Sequence, residues 1–186
     1  TLSKLKKLDA GSWFSPDFKG ESIPTLEEIL MQIRGKISVN IEIKPESFES
    51  NDPADAIEKQ ICRMVENFGM IESVLISSFE HSFFQRIKLW QGENNNNTSI
   101  RIAPLQEKSF SHENVLKLCK STEAYSLHLD ERFLTPSIVE FLNANHLRTI
   151  AYTINNEERI EHLIKWGVTG LITDEPELMW KVLRKL

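Results

Sequence analysis

Ala124-Tyr125-Ser126-Leu127-His128-Leu129 decides between the two folds open to this chain. Side chains alternate faces along a strand, so Tyr125, Leu127 and Leu129 share one face while Ala124, Ser126 and His128 share the other. A central strand of an open doubly wound sheet is covered by helices on both faces and reads as an unbroken apolar run. This stretch instead has a bulky apolar face and a small or polar one, the pattern of a barrel strand with helices outside and a polar mouth. Residues 148–154 repeat it, with Ile150, Tyr152 and Ile154 opposite Thr149, Ala151 and Thr153. An edge of an open sheet can look similar, but no Gly-x-Gly-x-x-Gly or Walker-type loop supports that architecture.

Outward from this stretch, β-prone runs recur at 37–44, 73–79, 99–105, 124–129, 148–154 and 169–173, each followed by a helix-like segment. Such alternation predicts parallel βα units. Thr25-Leu26-Glu27-Glu28 is a capping box ahead of the apolar stripe Leu26, Ile29, Leu30 and Ile33, which Gly35 ends. Asp52-Pro53 is read as the start of the next helix, with Ile57, Ile61, Met64, Val65 and Phe68 on its buried face and Gly69 as its stop. Thr135-Pro136, Asn156 before Glu157, and Asp174-Glu175-Pro176 open three more. The asparagine tract Asn94 to Asn97 reads as a loop. The strand spacing evokes a leucine-rich repeat, but the asparagine and leucine ladder of that repeat is missing.

The 186 residues suffice for one full core. A net charge of -5 argues against general nucleic-acid binding, which needs a basic stripe, and Lys4, Lys6 and Lys7 are too few to supply one. No window approaches the ~18 uninterrupted apolar residues of a membrane span, so stable membrane insertion is not expected. Cys62 and Cys119 sit in apolar helical patterns, where a free cysteine packs as a small hydrophobe. The sequence does not set an oligomeric state. Cytoplasmic placement is favoured over periplasmic or secreted, with the reservation that Thr1 follows no signal-peptide pattern and looks like a cut beginning.

Six strands do not close an eight-stranded barrel, and an open sheet of six would expose two edges. The expectation is therefore an α/β fold, a partial (βα)8 barrel from which the first two βα units are absent.

Chemistry concentrates in Val39-Asn40-Ile41-Glu42-Ile43-Lys44-Pro45. Val39, Ile41 and Ile43 cover one face, while Asn40, Glu42 and Lys44 share the other. A carboxylate and an ammonium two residues apart suit a site for something charged. A solvated edge strand with a surface ion pair is the competing reading.

Taken in order, Leu8-Asp9-Ala10-Gly11-Ser12-Trp13-Phe14, Gly20-Glu21-Ser22-Ile23-Pro24-Thr25-Leu26-Glu27-Glu28, Asn40-Ile41-Glu42-Ile43-Lys44-Pro45, Ser77-Ser78-Phe79, Tyr152-Thr153-Ile154-Asn155 and Gly170-Leu171-Ile172-Thr173-Asp174-Glu175-Pro176 resemble glycerophosphodiester phosphodiesterases. The resemblance runs through essentially the whole chain. It implies a (βα)8 barrel with a segment inserted after strand two, in which a divalent cation, Mg²⁺ or Ca²⁺, assists hydrolysis of glycerophosphodiesters to glycerol 3-phosphate and an alcohol. Residues 1–24 then match the end of that insertion and 25–186 the βα units, with the six runs as barrel strands three to eight. The family's His-Arg-Gly, Glu-x-Asp and His-Asp motifs do not occur here. What carries over is Glu42 as a metal carboxylate and Lys44 as the basic residue near phosphate.

Tyr152 matches an aromatic position flanking the substrate, with core packing as the alternative. Asn155, Ser78, Thr173 and Asp174 fall at strand ends facing the expected mouth, although turn formation and helix capping explain them nearly as well. His81, His112, His146 and His162 fall on helix starts, ends or faces. His128 lies at the C-terminal end of a strand on its polar face and is a candidate to border the pocket, but it matches neither catalytic histidine of the family. With one metal carboxylate and no catalytic histidine, the 186 residues alone are expected to be inactive. A non-catalytic binding remnant of the same barrel is the alternative function.

Overall fold

In the computed structural model, which describes residues 1–93 and 99–185, strands form within or beside all six β-prone runs. They are β1 (Val39–Glu42), β2 (Val74–Ser78), β3 (Arg101–Gln106), β4 (Leu127–Asp130), β5 (Thr149–Tyr152) and β6 (Gly170–Leu171). Every neighbouring pair is parallel and the spatial order is the chain order, β1 to β6. This is a six-stranded parallel half-barrel. The helices are α1 (Leu2–Leu5), α2 (Leu26–Ile33), α3 (Ile57–Asn67), α4 (Ser82–Glu93), α5 (His112–Thr122), α6 (Pro136–Ala144), α7 (Glu157–Trp166) and α8 (Pro176–Leu183). The tract Asn94 to Asn97, read as a loop, lies outside the described residues.

Helix starts follow their caps. Thr25 and Glu28 exchange both capping-box bonds at α2, while the side chains of Ser111, Thr135 and Asn156 accept from the first turns of α5, α6 and α7. Gly167 ends α7 at φ 90°, a left-handed conformation that glycine adopts at little cost. One expected start is corrected: α3 begins at Ile57, not at Asp52-Pro53. The Asp52 carboxylate is held by Lys59 at 2.8 Å and faces Arg86 Nε at 3.5 Å, so this residue anchors a turn.

The strand faces sort two apolar layers. Ile41, Val74, Ile76 and Ile102 pack with Leu30 of α2, Ile61 and Val65 of α3 and Phe83, Phe84 and Ile87 of α4. Leu127, Leu129 and Ala151 pack with Val115 of α5, Val139 and Leu142 of α6 and Ile160 and Leu163 of α7. Burying such side chains stabilises the fold by roughly 1.5–3 kcal/mol each. The phase expected for 148–154 is reversed over β5. Register pairs Leu127 with Thr149 and Leu129 with Ala151, which puts these small residues against the helices. The helices supply the bulk there, while Ile150 and Tyr152 face inward beside His128 and Asp130. Tyr125 departs from the apolar face of Leu127 and Leu129. It is exposed between the guanidinium groups of Arg101 and Arg148, at 4.9 and 4.5 Å from its ring centre.

Both cysteines are free and buried in these layers, and burial pushes the thiols up to about 12 for Cys62 and about 11 for Cys119. No helix among the described residues is long and apolar enough to cross a membrane.

Candidate active site

Parallel strands place the chemistry at their C-terminal ends. Glu42 pairs in register with Ser77, Ser77 with Ala103, and two residues on, Leu105 with His128, so all five share the inward face. Ala103, Leu105, Ser77 and His128 are buried yet belong to neither helix-facing layer, which makes the inner face a packed surface of its own. Glu42 ends β1 on the exposed side of that surface, and Lys44 Nζ donates to its Oε1 at 2.7 Å. The Lys44 side chain is 70% exposed, so the ammonium can leave the carboxylate for an anion without breaking a packed contact.

Tyr152 ends β5 on the same inward face, beside Asp130. Its hydroxyl donates to the Gln106 carbonyl at 2.9 Å, and Phe79 meets its ring edge to face at 6.2 Å. Burial raises the phenol's pKa, and the negative charges of Asp130, Glu107 and Glu42 raise it further. Three carboxylates from β1, the end of β3 and the end of β4 therefore share the field at one tyrosine. A cavity of about 220 Å³ lined by Phe79, His81, Leu105, Gln106, Glu107 and Lys108 opens beside it.

His128 is only 1% exposed, and burial lowers its pKa to about 4, so the ring is neutral at physiological pH. Nε2 lies 3.2 Å from Ser126 Oγ, and Nδ1 has no hydrogen-bond partner among the described residues. Ser78 is buried with its hydroxyl committed to the backbone, donating to the Ile43 carbonyl at 2.7 Å and accepting from Glu80 N–H at 3.0 Å. Its neighbour Ser77 is the serine on the Glu42 face. Asn155 joins the ends of β5 and β6: its amide donates to Asp174 Oδ2 at 2.9 Å, and its carbonyl accepts from Thr173 Oγ1 at 3.0 Å and Asp174 N–H at 2.9 Å.

Asp130 and Arg132 are not singled out by the sequence. Asp130 ends β4 on the inward face opposite Tyr152 and accepts from the backbone N–H and the guanidinium of Arg132. Those bonds hold its carboxyl below the usual range. The only local signal was a carboxylate and a guanidinium two residues apart at a strand end, which also reads as an ordinary turn.

Among the described residues no cluster of three or more His, Cys, Asp or Glu side chains could hold a metal. One carboxylate already bonded to an ammonium is not a complete cation site, so the residues of this chain do not by themselves fit a bound divalent ion.

The family model for the glycerophosphoryl diester phosphodiesterase family matches residues 1–178. The chain belongs to this family. A glycerophosphodiester phosphodiesterase from Caldanaerobacter subterraneus subsp. tengcongensis is 33% identical over 190 residues, covering 100% of this chain and 72% of that protein. Among solved structures, a phosphodiesterase from Oleispira antarctica in complex with the product sn-glycerol-3-phosphate superposes with a TM-score of 0.72 at 22% identity, covering 99% of this chain and 70% of that one. A glycerophosphodiester phosphodiesterase from Parabacteroides distasonis gives 0.75 at 20% identity, covering 100% and 71%. At these identities the structural likeness speaks for the fold, and membership of the phosphodiesterase family rests on the sequence matches.

Proposed function

We propose that this chain carries the Glu42–Lys44 part of a glycerophosphodiester phosphodiesterase centre, which hydrolyses diesters to glycerol 3-phosphate and an alcohol when the remaining catalytic groups are supplied. The observation that carries this reading is the Glu42–Lys44 pair at the C-terminal end of β1, on the inner face of a half-barrel matched by that family from residue 1 to 178. In this reading the six strands are strands three to eight of the family barrel, and residues 1–24 are the end of its inserted segment. Lys44 neutralises phosphate charge. Glu42 is one ligand of a divalent cation, Mg²⁺ or Ca²⁺, whose other donors this set of residues lacks, and no catalytic step is built on that ion. Tyr152 flanks the diester, Asn155 fixes the β5 and β6 rims, and His128 and Ser77 shape the wall, while Ser78, expected at the mouth, instead has the opposite phase and ties the ends of β1 and β2 together through the Ile43 carbonyl. No stable membrane insertion and no nucleic acid enter this reading.

Hydrolysis adds water across the P–O bond and needs proton transfer to the leaving alcohol. His128, neutral and sealed from solvent, does not offer that proton. The chain alone therefore binds diester without turning it over. The test is glycerophosphocholine hydrolysis by the 186-residue chain and by a chimera that adds the N-terminal βα units of the Caldanaerobacter relative. The chain alone should be silent and the chimera active and chelator-sensitive, with Glu42→Gln costing about a hundredfold or more and His128→Ala about tenfold to thirtyfold. Chelator-sensitive turnover by the chain alone, or a chimera indifferent to Glu42, contradicts the reading.

A further inference from the structure

Seven of the thirteen large apolar side chains exposed among the described residues lie in the first 24 positions. Exposure peaks in the loop from Asp9 to Gly20, where Trp13 is 82% and Phe14 71% exposed. This loop is tightly bonded. The Asp9 carboxylate accepts from the N–H groups of Gly11 at 3.0 Å, Ser12 at 2.9 Å and Gly20 at 3.0 Å, and from Ser12 Oγ at 2.6 Å. Trp13 Nε1 donates to the Ala10 carbonyl at 2.7 Å, so the one polar group of the indole is satisfied inside the loop while its ring faces water. Phe14 contacts both Trp13 and Phe18, with ring centres 5.8 and 5.7 Å away. Apolar surface left in water is unfavourable, and a patch of rings held outward by a hydrogen-bonded loop marks a contact surface.

Position and charge say what the surface meets. Lys6 bonds Glu28 in the first turn of α2, and Ala10 N–H donates to the Glu21 carbonyl at 2.7 Å, so the segment is tied beside the start of that helix. Helix α2 packs outside β1 and returns to it through residues 34–38, which sets its start level with the C-terminal end of β1, where Glu42 stands. The loop therefore lies on the rim of the mouth. Residues 1–24 carry four lysines against three carboxylates in a chain of net charge -5, and Lys4, Lys7 and Lys19 have no carboxylate partner among the described residues. Tryptophan and phenylalanine favour the bilayer interface, and lysines beside them reach lipid phosphates with their ammonium groups. We propose that the 9–20 loop docks this chain reversibly on a phospholipid bilayer, with Trp13 and Phe14 entering the interface and Lys4, Lys7 and Lys19 meeting lipid phosphates. Because the carboxylates of Glu42, Glu107 and Asp130 make the mouth negative, the rings supply most of the affinity and the lysines a smaller share. This is peripheral contact by one loop, and it stands independently of the phosphodiesterase reading.

The test is co-sedimentation of the 186-residue chain with vesicles of phosphatidylcholine, with and without phosphatidylglycerol, together with quenching of tryptophan fluorescence by brominated lipid. The chain should bind both vesicles, more tightly with phosphatidylglycerol, and binding should persist at about 0.5 M salt, where charge attraction is screened within a few Å. Trp13→Ala/Phe14→Ala should lower the partition coefficient tenfold or more on both vesicles. Trp13→Phe should keep the binding and lose the quenching, and Trp180→Ala, which removes an exposed indole on α8, should change neither. The chimera carrying the N-terminal βα units of the Caldanaerobacter relative should dock in the same way. Absence of binding, binding only to phosphatidylglycerol that salt abolishes, equal binding by the double variant, as large a loss in Trp180→Ala, or a chimera that no longer docks overturns the proposal. So does a dimer of the unaltered chain that the double variant dissolves, since the patch would then be covered by a second copy.

Discussion

Burial of a neutral imidazole in the half-barrel wall makes the stability of this chain fall with mild acid. His128 has its pKa lowered from 6.5 to about 4 by desolvation, so as pH drops the unfolded chain takes up this proton first while the folded chain stays neutral. The contribution is fully present above pH 6.5 and is lost progressively down to about 4. At 1.36 kcal/mol per unit, the gap amounts to about 3 kcal/mol, of which about 2 kcal/mol disappears between pH 6.5 and 5. The carboxylates with lowered pKa, Asp130 and Glu80 among them, lose their contributions only below their unfolded values near 4. The window from 6.5 to 5 therefore reports on histidine. Urea unfolding at pH 7, 6 and 5 should show the unaltered chain losing about 2 kcal/mol more than His128→Leu over that range. The variant should also carry a pH-independent loss of about 1 kcal/mol, because Ser126 Oγ loses its ring partner. Identical pH slopes for the two proteins would refute the account of a neutral, desolvated His128.

Arg86→Ala should cost about 3–5 kcal/mol by urea unfolding. It strands Glu58, which is 1% exposed and bonded to Arg86 Nη1 at 3.2 Å, and removes the guanidinium stacked 4.2 Å over Phe48; Glu58→Leu/Arg86→Met should recover most of the loss, and a single change costing under about 1 kcal/mol would contradict this. Gly11→Ala should open the 9–21 loop, because its Cβ would lie 2.0 Å from the Phe18 carbonyl oxygen. Faster amide exchange at Gly11, Ser12 and Gly20, the N–H groups that bond Asp9, is the expected readout, and unchanged protection would count against it. Thr25→Ala should cost about 1 kcal/mol by removing one arm of the capping box, checked by thermal unfolding.

Alternation and caps were legible in the sequence because they are local. The six βα units, the caps at Thr25, Thr135 and Asn156 and the inward phase of Glu42 follow from neighbours within a few residues. The phase of β5 is not legible, because size alone does not say which side a residue faces. Thr149 and Ala151 sit against helices that bring Leu142, Ile160 and Leu163, and that bulk comes from elsewhere in the chain. The same limit hides the burial of Glu58, whose partner Arg86 lies 28 residues away. Ser77 and Ser78 could not be told apart as site residues without the register that sets Ser77 beside Glu42. The Asp130–Arg132 pair is local, but nothing short of the sheet shows that Asp130 stands beside Tyr152 on the inward face.

The central claim, that Glu42 and Lys44 receive a glycerophosphate, is tested most directly by titrating sn-glycerol 3-phosphate into the 186-residue chain with and without Mg²⁺ or Ca²⁺, alongside Lys44→Ala and Glu42→Gln. Binding should weaken at least tenfold in Lys44→Ala under every condition, and in Glu42→Gln any enhancement by the cation should vanish while cation-free binding persists. Undiminished binding in Lys44→Ala, or a cation response that survives Glu42→Gln, would contradict it.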